Sequence, residues 1–152
     1  MAIAENATID FFGTQDEVTT SSASVADTVY SILTDTSVWT NDDDAPMASV
    51  TAKLTFGTGP TAGTTVDLFI QKNNVEGTDD DDFPADDRPF TYVGSFPLDN
   101  VTSEQIQTID IVLPNYKTSS EYVFVVKNNG GQTLSAAWQL FVTPKTFGPH
   151  PA

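Results

Sequence analysis

Residues 48–56 read Ala-Ser-Val-Thr-Ala-Lys-Leu-Thr-Phe, and every second side chain in this stretch is apolar. Because successive side chains of a β-strand point to opposite faces, this strict period of two predicts a strand with one buried and one exposed face. Residues 64–72 repeat the pattern through Val66, Leu68 and Ile70. The intervening residues 57–63 are rich in glycine and include a proline. They predict a hairpin turn that pairs the two strands.

The same alternation marks one face of further segments in the second half of the chain. Their apolar positions are Phe90, Tyr92 and Phe96; Ile109, Ile111 and Leu113; Tyr122, Phe124 and Val126; and Ala136, Trp138, Leu140 and Val142. Residues 128–131, Asn-Asn-Gly-Gly, predict the turn joining the last two strands, since Asn and Gly accept positive φ angles. In the first third, residues 8–12, 18–25 and 28–33 are rich in β-branched and aromatic residues, which also favours strands.

Helix signals are sparse, and the only helix-like start is Thr-Ser-Glu-Gln at residues 102–105. About eight or nine strands with little helix predict an all-β antiparallel two-sheet sandwich, either a jelly roll or an immunoglobulin-like sandwich. At this length we expect a single domain, residues 1–152. Residues 1–7 and 144–152 are expected to form terminal arms. The first segment is small and mostly polar, and the second holds prolines, which cannot donate to a strand ladder.

Composition excludes several classes of protein. Six Lys and Arg against 21 Asp and Glu give a net charge of −15, which repels phosphate backbones and anionic lipids, so neither nucleic acid nor membrane is an expected partner. Cysteine is absent, which excludes thiol catalysis, thiolate metal sites and disulfides. The longest apolar stretches have the length of strands, and residues 1–10 lack the basic and apolar regions of a secretory signal. We expect a soluble protein.

Catalytic signatures are weak. His150 is the sole histidine and lies among prolines near the end of the chain, so no histidine base or histidine-rich metal site is expected. Carboxylate pairs are plentiful, which leaves a two-carboxylate glycosidase as an alternative that requires a cleft. The acidic residues, however, lie mostly in loops of like charge, without an apolar setting that would separate their pKa values. We therefore expect no enzyme.

Two acidic clusters make calcium the candidate cofactor. One consists of Asp42, Asp43 and Asp44, and the other of Asp79, Asp80, Asp81 and Asp82, followed by Asp86 and Asp87. Calcium takes six to eight oxygen ligands from flexible loops, and it would relieve the repulsion between carboxylates if the two loops met. The spacing of an EF-hand is missing, and solvated acidic loops without a metal are the commoner case.

Trp39 and Trp138 are candidate ring platforms for sugars, since an aromatic at the rim of a β-sandwich can stack on a pyranose. Trp138 alternates with Ala136 and Leu140, which predicts a core position. Trp39 lies beside the first acidic cluster and is the better candidate for an exposed ligand contact, although a loop tryptophan that caps the end of the sandwich is the more frequent case.

Taken in order, several segments carry a resemblance to known proteins. These are residues 57–70, Gly-Thr-Gly-Pro-Thr-Ala-Gly-Thr-Thr-Val-Asp-Leu-Phe-Ile; the Asp-rich loop; Tyr92-Val-Gly94; residues 109–114, Ile-Asp-Ile-Val-Leu-Pro; and residues 122–131, Tyr-Val-Phe-Val-Val-Lys-Asn-Asn-Gly-Gly. Over about residues 45–143 the chain resembles small β-sandwich virion proteins of tailed bacteriophages, of the head decoration (cement) type. These segments contain no catalytic residue.

The resemblance implies a virion structural protein that binds and stabilises the capsid shell. Its implied partners are the major capsid protein or another virion protein and further copies of itself, typically as a trimer held by terminal arms. It also implies synthesis and assembly in the host bacterial cytoplasm, which the lack of cysteine and of a secretory signal fits. The alternative is a carbohydrate- or host-surface-binding module of the tail or fibre, with calcium between the two acidic loops and Trp39 as the stacking ring.

Overall fold

The structure is a computed structural model that describes residues 8–20, 22–73, 91–114 and 119–149. This part of the chain forms nine β-strands and one 3₁₀ helix, Leu33–Asp35. The strands are β1 Thr8–Phe12, β2 Asp16–Glu17, β3 Trp39–Asn41, β4 Met47–Leu54, β5 Thr65–Asn73, β6 Thr91–Pro97, β7 Gln105–Val112, β8 Ser120–Asn128 and β9 Gln139–Pro149. No helix of the described residues is long and apolar enough to cross a membrane.

The strands form two antiparallel sheets, which confirms the predicted all-β sandwich. Sheet I has the order β1-β9-β4-β7, with β2 also paired to β9, and sheet II has the order β3-β8-β5-β6. The pairs are nested: β2 with β9, β3 with β8, β4 with β7 and β5 with β6. Two further pairs, β4 with β9 and β5 with β8, join the nested pairs into the two sheets. Of the two predicted topologies, nesting of this kind belongs to the jelly roll.

Both glycine-rich turns cross between the sheets, so the two predicted hairpins are wrong. Residues 57–63 lead from β4 in sheet I to β5 in sheet II, and residues 128–131 lead from β8 back to β9. The turns contact each other where Thr61 N donates to Gly130 O over 2.9 Å. Gly131 has a φ of 74°, a value that strongly favours glycine. Turn residues thus mark where the chain reverses, but they do not determine which strand it pairs with.

The core lies between the two sheets and follows the predicted alternation. In β4, Ala48, Val50, Ala52 and Leu54 are fully buried. They belong to one cluster with the inward side chains of sheet II, namely Val66, Leu68 and Ile70 of β5, Phe96 of β6, and Tyr122, Phe124 and Val126 of β8. Trp138, directly before β9, is 1% exposed, which confirms its predicted core position.

The first third of the chain is less regular than the predicted strands at residues 18–25 and 28–33. Only isolated bridges occur there, at Thr19, Val25 and Tyr30, before the 3₁₀ helix. The Asp35 carboxylate accepts hydrogen bonds from the backbone N–H groups of Ala23 and Ile32. Such local bonds compete with a strand ladder, which explains why residues with high β-propensity do not form regular strands here.

A single turn of helix was predicted at residues 102–105, and this prediction is wrong. Gln105 begins β7 instead. Its side chain accepts a hydrogen bond from Asp99 N over 2.8 Å and donates one to Asp99 O over 3.1 Å. The Gln105 side chain therefore joins the start of β7 to the backbone of Asp99, at the beginning of the preceding loop.

The predicted C-terminal arm at residues 144–152 begins too early, because β9 continues to Pro149. Pro144 lies opposite Ala48 of β4, and its carbonyl accepts a hydrogen bond from Gly13 N over 2.9 Å. Proline has no N–H to return that bond. The sheet tolerates this loss because Gly13 lies in the gap between β1 and β2, where no strand partner requires the donor. Residues 1–7 and 150–152 lie outside the described part of the chain.

A β-bulge in β6 reverses the face predicted for Tyr92. Gly94 lies opposite Leu68 but Tyr92 lies opposite Phe69, so Val93 is an extra residue in β6. One added residue moves all subsequent side chains to the other face. Phe96 is therefore buried while Tyr92 is 56% exposed. A Cβ atom at Gly94 would lie 2.6 Å from Cδ1 of Ile109 in β7, so any larger residue here would require the end of that side chain to move.

Candidate functional site

Trp39, the predicted ligand-stacking ring, lies in the core. It is only 4% exposed, and its ring packs near those of Tyr122 and Phe124, with centroids 6.2 and 6.1 Å apart. Its Nε1 donates to Asp16 Oδ2 over 3.1 Å, which ties β3 of sheet II to β2 of sheet I. An indole held in this way cannot offer a face to a sugar, so the prediction of an exposed contact is wrong.

Asp42, Asp43 and Asp44 form the exposed turn between β3 and β4, as predicted from their position. Asn41 closes this turn: its Nδ2 donates to Ala45 O over 2.8 Å, and its Oδ1 accepts from Ala45 N over 3.0 Å. Asn41 and Ala45 are both fully buried. Two buried residues therefore hold the ends of the turn together, while the side chains of Asp42, Asp43 and Asp44 are exposed.

Two of these carboxylates border a cleft of about 270 Å³ that the sequence did not predict. Asp42 and Asp43 line it together with Asp16, and Trp39 forms part of its wall. No group of at least three His, Cys, Asp or Glu residues that could hold a metal occurs within residues 8–20, 22–73, 91–114 and 119–149. The other proposed ligands, Asp79, Asp80, Asp81 and Asp82, lie outside the described residues. The calcium hypothesis stays a prediction.

The outer face of sheet I carries exposed and half-buried apolar side chains that lie in register. Phe12 of β1, Lys145 of β9, Met47 of β4 and Val112 of β7 are consecutive cross-strand partners in one row. Phe147 follows Lys145 on the same face of β9. Phe12 and Phe147 are each 58% exposed, and Val112 is 67% exposed. We call Phe12, Met47, Val112 and Phe147 the apolar band, which crosses the full width of sheet I.

Lys145 lies at the centre of the apolar band and is held by two carboxylates. Its Nζ lies 2.8 Å from Asp110 Oδ2, 3.1 Å from Asp10 Oδ2 and 5.5 Å from the centroid of the Phe12 ring. The hydrogen bonds from Lys145 and, next, from Ser49 lower the pKa of Asp110 below its usual value. The hydrogen bonds to Asp110 and then to Asp10 raise the pKa of Lys145. The Lys145 ammonium is therefore ion-paired with two residues of the same face, and only 13% of the Lys145 side chain is exposed.

Charge on this face is almost balanced. The charged residues at outward positions of its strands are Lys53 and Lys145 against Asp10, Glu17 and Asp110, whereas Asp16 of β2 lies opposite the inward residue Val142. Two positive and three negative groups leave a local charge of −1, whereas the whole chain carries −15. The outer face of sheet I is thus a nearly neutral, partly apolar surface on a strongly negative body.

Sequence reasoning did not identify the apolar band. Phe147 fell in the segment predicted as an arm, and Met47 lay outside the predicted strand. A signal was present in β7, where Ile106 and Val112 occupy one strand face and Ile109 and Ile111 the other. Apolar residues on both faces of a strand indicate that both faces are covered by other protein. In this structure the face with Ile106 and Val112 is exposed.

These features define the chain as a jelly-roll sandwich with an exposed apolar sheet face and an acidic cleft. The sequence matches no model of a known protein family, and a comparison with curated proteins gave no match either.

Proposed function

We propose that this chain is a non-enzymatic structural protein of a bacteriophage virion, and within the virion a head decoration protein that binds the capsid shell through the outer face of sheet I. The observation that carries the proposal is the apolar band on the outer face of sheet I, where the net charge is small. The resemblance in residues 45–143 supports the type of particle. A jelly roll is common among viral capsid proteins, but a fold alone does not define a function.

The apolar band supports adhesion to a protein surface. Phenylalanine, methionine and valine side chains offer no strong hydrogen bond, so they gain free energy by leaving water against another apolar surface. Burying one such side chain fully contributes about 1.5–3 kcal/mol. Phe12, Met47 and Val112 lie on three different strands of one sheet, which holds them in fixed relative positions. Contacts fixed in this way lose little conformational entropy on binding.

The charge distribution supports the same face. A body with a charge of −15 repels other copies of itself and other negative surfaces. Contact through a face with a local charge of about −1 keeps this repulsion small. Asp42, Asp43 and Asp44 lie outside this face and remain exposed to solvent. Assembly as a trimer belongs to the proposal, since three linked copies with modest individual affinity bind a repeating lattice far more tightly than one copy.

The first experiment tests the setting. Bacteriophage particles are purified from an infected bacterial lysate by density-gradient centrifugation, and their proteins are identified by mass spectrometry. We expect this chain to be present at a fixed ratio to the major capsid protein. Its absence from intact particles would contradict the proposal, and a fixed ratio to tail proteins in heads-free tails would move it to the tail.

The second experiment tests the face. Heads produced without this chain are incubated with the purified protein and sedimented. We expect the double variant Phe12→Ser, Phe147→Ser to bind at least about tenfold more weakly than wild type, equivalent to about 1.4 kcal/mol. Tyr92→Ser is the matched control, because Tyr92 is a similarly exposed ring on sheet II. Equal loss of binding in both variants, or unchanged binding of the double variant, would contradict docking through sheet I.

A further inference from the structure

The outer face of sheet II carries a row of aromatic rings. Tyr92 of β6, Phe69 of β5 and Tyr30, which bridges to β8 at Lys127, follow one another across the sheet. The ring centroids are 5.6 Å apart for Tyr92 and Phe69 and 5.3 Å apart for Phe69 and Tyr30, both in edge-to-face geometry. Tyr92 is 56% exposed, while Phe69 and Tyr30 are half-buried. Tyr92 is thus the ring that faces solvent, and the other two support it.

Two contacts hold the Tyr92 side chain in position, one at its hydroxyl and one at its ring. Its hydroxyl lies 2.8 Å from Ser95 Oγ, and Ser95 Oγ donates to Asp67 Oδ1 over 2.6 Å. Serine has one hydroxyl hydrogen, which this second bond uses, so Tyr92 must donate to Ser95. An exposed tyrosine ordinarily samples several rotamers. Here the hydrogen bond and the edge contact with Phe69 fix the ring before any ligand arrives.

A strip of polar groups lies beside the aromatic row. Asp67 accepts hydrogen bonds from Thr65, Ser95 and Asn129, at 2.8, 2.6 and 2.7 Å. Lys127 is the cross-strand partner of Asp67, and its Nζ lies 5.2 Å from the centroid of the Tyr30 ring. The ammonium has no hydrogen bond to another described residue, so its donors are available. The Tyr92 oxygen also keeps lone pairs for an incoming hydroxyl.

We propose that this surface binds a neutral oligosaccharide, with one sugar ring stacked on Tyr92 and hydrogen-bonded to the Tyr92 oxygen, and with another sugar of the same oligosaccharide hydrogen-bonded to Lys127. A pyranose combines an apolar face of C–H groups with a rim of hydroxyls, which matches an aromatic ring beside a strip of donors and acceptors. Asp67 and Lys127 balance each other locally, and the chain carries −15 overall, which favours a neutral over an anionic glycan. The site lies on the opposite sheet from the apolar band and does not depend on the proposed function.

The test is isothermal titration calorimetry of the full-length protein with three soluble probes: cellohexaose, laminarihexaose and the hexamer of N-acetylglucosamine. We expect saturable binding of at least one probe at millimolar concentration. Tyr92→Ala should weaken that binding at least about tenfold. Tyr92→Phe keeps the ring and loses its hydroxyl, so a smaller loss of about threefold is expected.

Phe12→Ala is the matched control, because Phe12 has nearly the same exposure as Tyr92 but lies on sheet I. It should leave the affinity within about twofold, as expected for a distant site. Circular dichroism melting of each variant verifies that the fold is retained. Absence of saturable binding to all three probes would overturn the proposal, and so would equal affinities of wild type and Tyr92→Ala.

Discussion

The two outer faces of the sandwich both carry exposed aromatic rings, but they hold these rings by different means. On sheet I, Phe12 and Phe147 have no polar atom, and the charged group among them, Lys145, is paired with Asp10 and Asp110. On sheet II, Tyr92 is fixed through its hydroxyl to Ser95. A phenylalanine surface gains free energy only by excluding water against another apolar surface, whereas an anchored tyrosine can contact a polar ligand. The difference supports our two proposals, adhesion for the outer face of sheet I and ligand binding for the outer face of sheet II.

In this comparison Trp39 is a buried residue between the two sheets that stabilises the fold and binds no ligand. We expect Trp39→Ala to lower the free energy of unfolding by about 3–5 kcal/mol, the usual cost of removing a buried tryptophan. The loss includes the hydrogen bond from Nε1 to Asp16, which joins the two sheets. Urea unfolding followed by circular dichroism measures the change.

Phe147→Ala is the exposed counterpart of this core substitution and should shift stability by no more than about 0.5 kcal/mol. If Trp39→Ala instead kept normal stability and abolished binding of a sugar probe, Trp39 would be a ligand contact after all. Trp39, and not Tyr92 on sheet II, would then be the better-supported sugar contact.

Two carboxylates sharpen the contrast between the faces. Asp67 on sheet II is half-buried and accepts three side-chain hydrogen bonds, so Asp67→Ala should cost about 1–3 kcal/mol by leaving its donors unpaired. Asp110 on sheet I is exposed and ion-paired, and Asp110→Ala should cost at most about 1 kcal/mol. Chemical denaturation at low and high salt separates them, since only the second effect should shrink with salt. A reversed order would show that sheet I holds the more rigid polar network.

The ion pair on sheet I predicts a defined pH dependence. The pKa of Asp110 is lowered, so its contribution to stability is present above its unfolded pKa and is lost as the pH falls through the folded pKa. The pKa of Lys145 is raised, so its contribution is present below its unfolded pKa and is lost as the pH rises through the folded pKa. The stability difference between wild type and Lys145→Gln should therefore be constant around neutral pH. It should begin to fall below about pH 4 and above about pH 10.4, and it should be lost once the pH has passed the folded pKa of Asp110 or of Lys145.

Nuclear magnetic resonance titration of the Asp110 carboxyl provides the direct measurement. We expect its pKa to rise toward the usual value in Lys145→Gln. Lys53→Gln is the matched control, because Lys53 lies on the same face but contacts the Phe141 ring at 5.1 Å. An unchanged Asp110 pKa in Lys145→Gln would show that the pair does not persist in solution.

Calcium should produce the smallest effect. The calcium hypothesis predicts a small rise of the melting temperature in millimolar calcium relative to EDTA at matched ionic strength, and coincident melting curves would contradict it. A calcium-specific rise in the melting temperature that disappears in Asp42→Asn, Asp43→Asn would establish a site at this turn. Such a result would add a metal centre at the sandwich end, beside Trp39 and away from Tyr92.

Much of the fold could be predicted from sequence, because burial on one face imposes alternation. Residues 48–56 predicted β4 and its buried face correctly, and Tyr122, Phe124 and Val126 did the same for β8. Pairing could not be predicted in this way. Alternation shows which face of a strand is buried but not which strand lies beside it, and the turns at Gly57 and Gly131 fit hairpins and crossings between sheets equally well.

The candidate site was harder to predict for two local reasons. Trp39 belongs to a strand of three residues, too short to show a period, so its neighbouring carboxylates suggested exposure. Tyr92 was assigned to the face of Phe96 because an even spacing ordinarily means a shared face. The extra residue Val93 reversed that relation. Gly94 was the available signal, since a glycine inside a strand often marks a bulge or a close approach.

Nested strand pairing also determines when the fold can be completed during synthesis. Within the described part of the chain, β1 and β2 pair with β9 alone, so during synthesis they have no sheet partner until residues 139–149 have been made. Among the described strands, β5 and β6 are paired neighbours in sequence and can pair earlier. Contacts between distant parts of a chain slow folding to milliseconds or longer. The apolar band, built from β1, β4, β7 and β9, is therefore completed last, so an incomplete chain cannot present the face for which we propose adhesion.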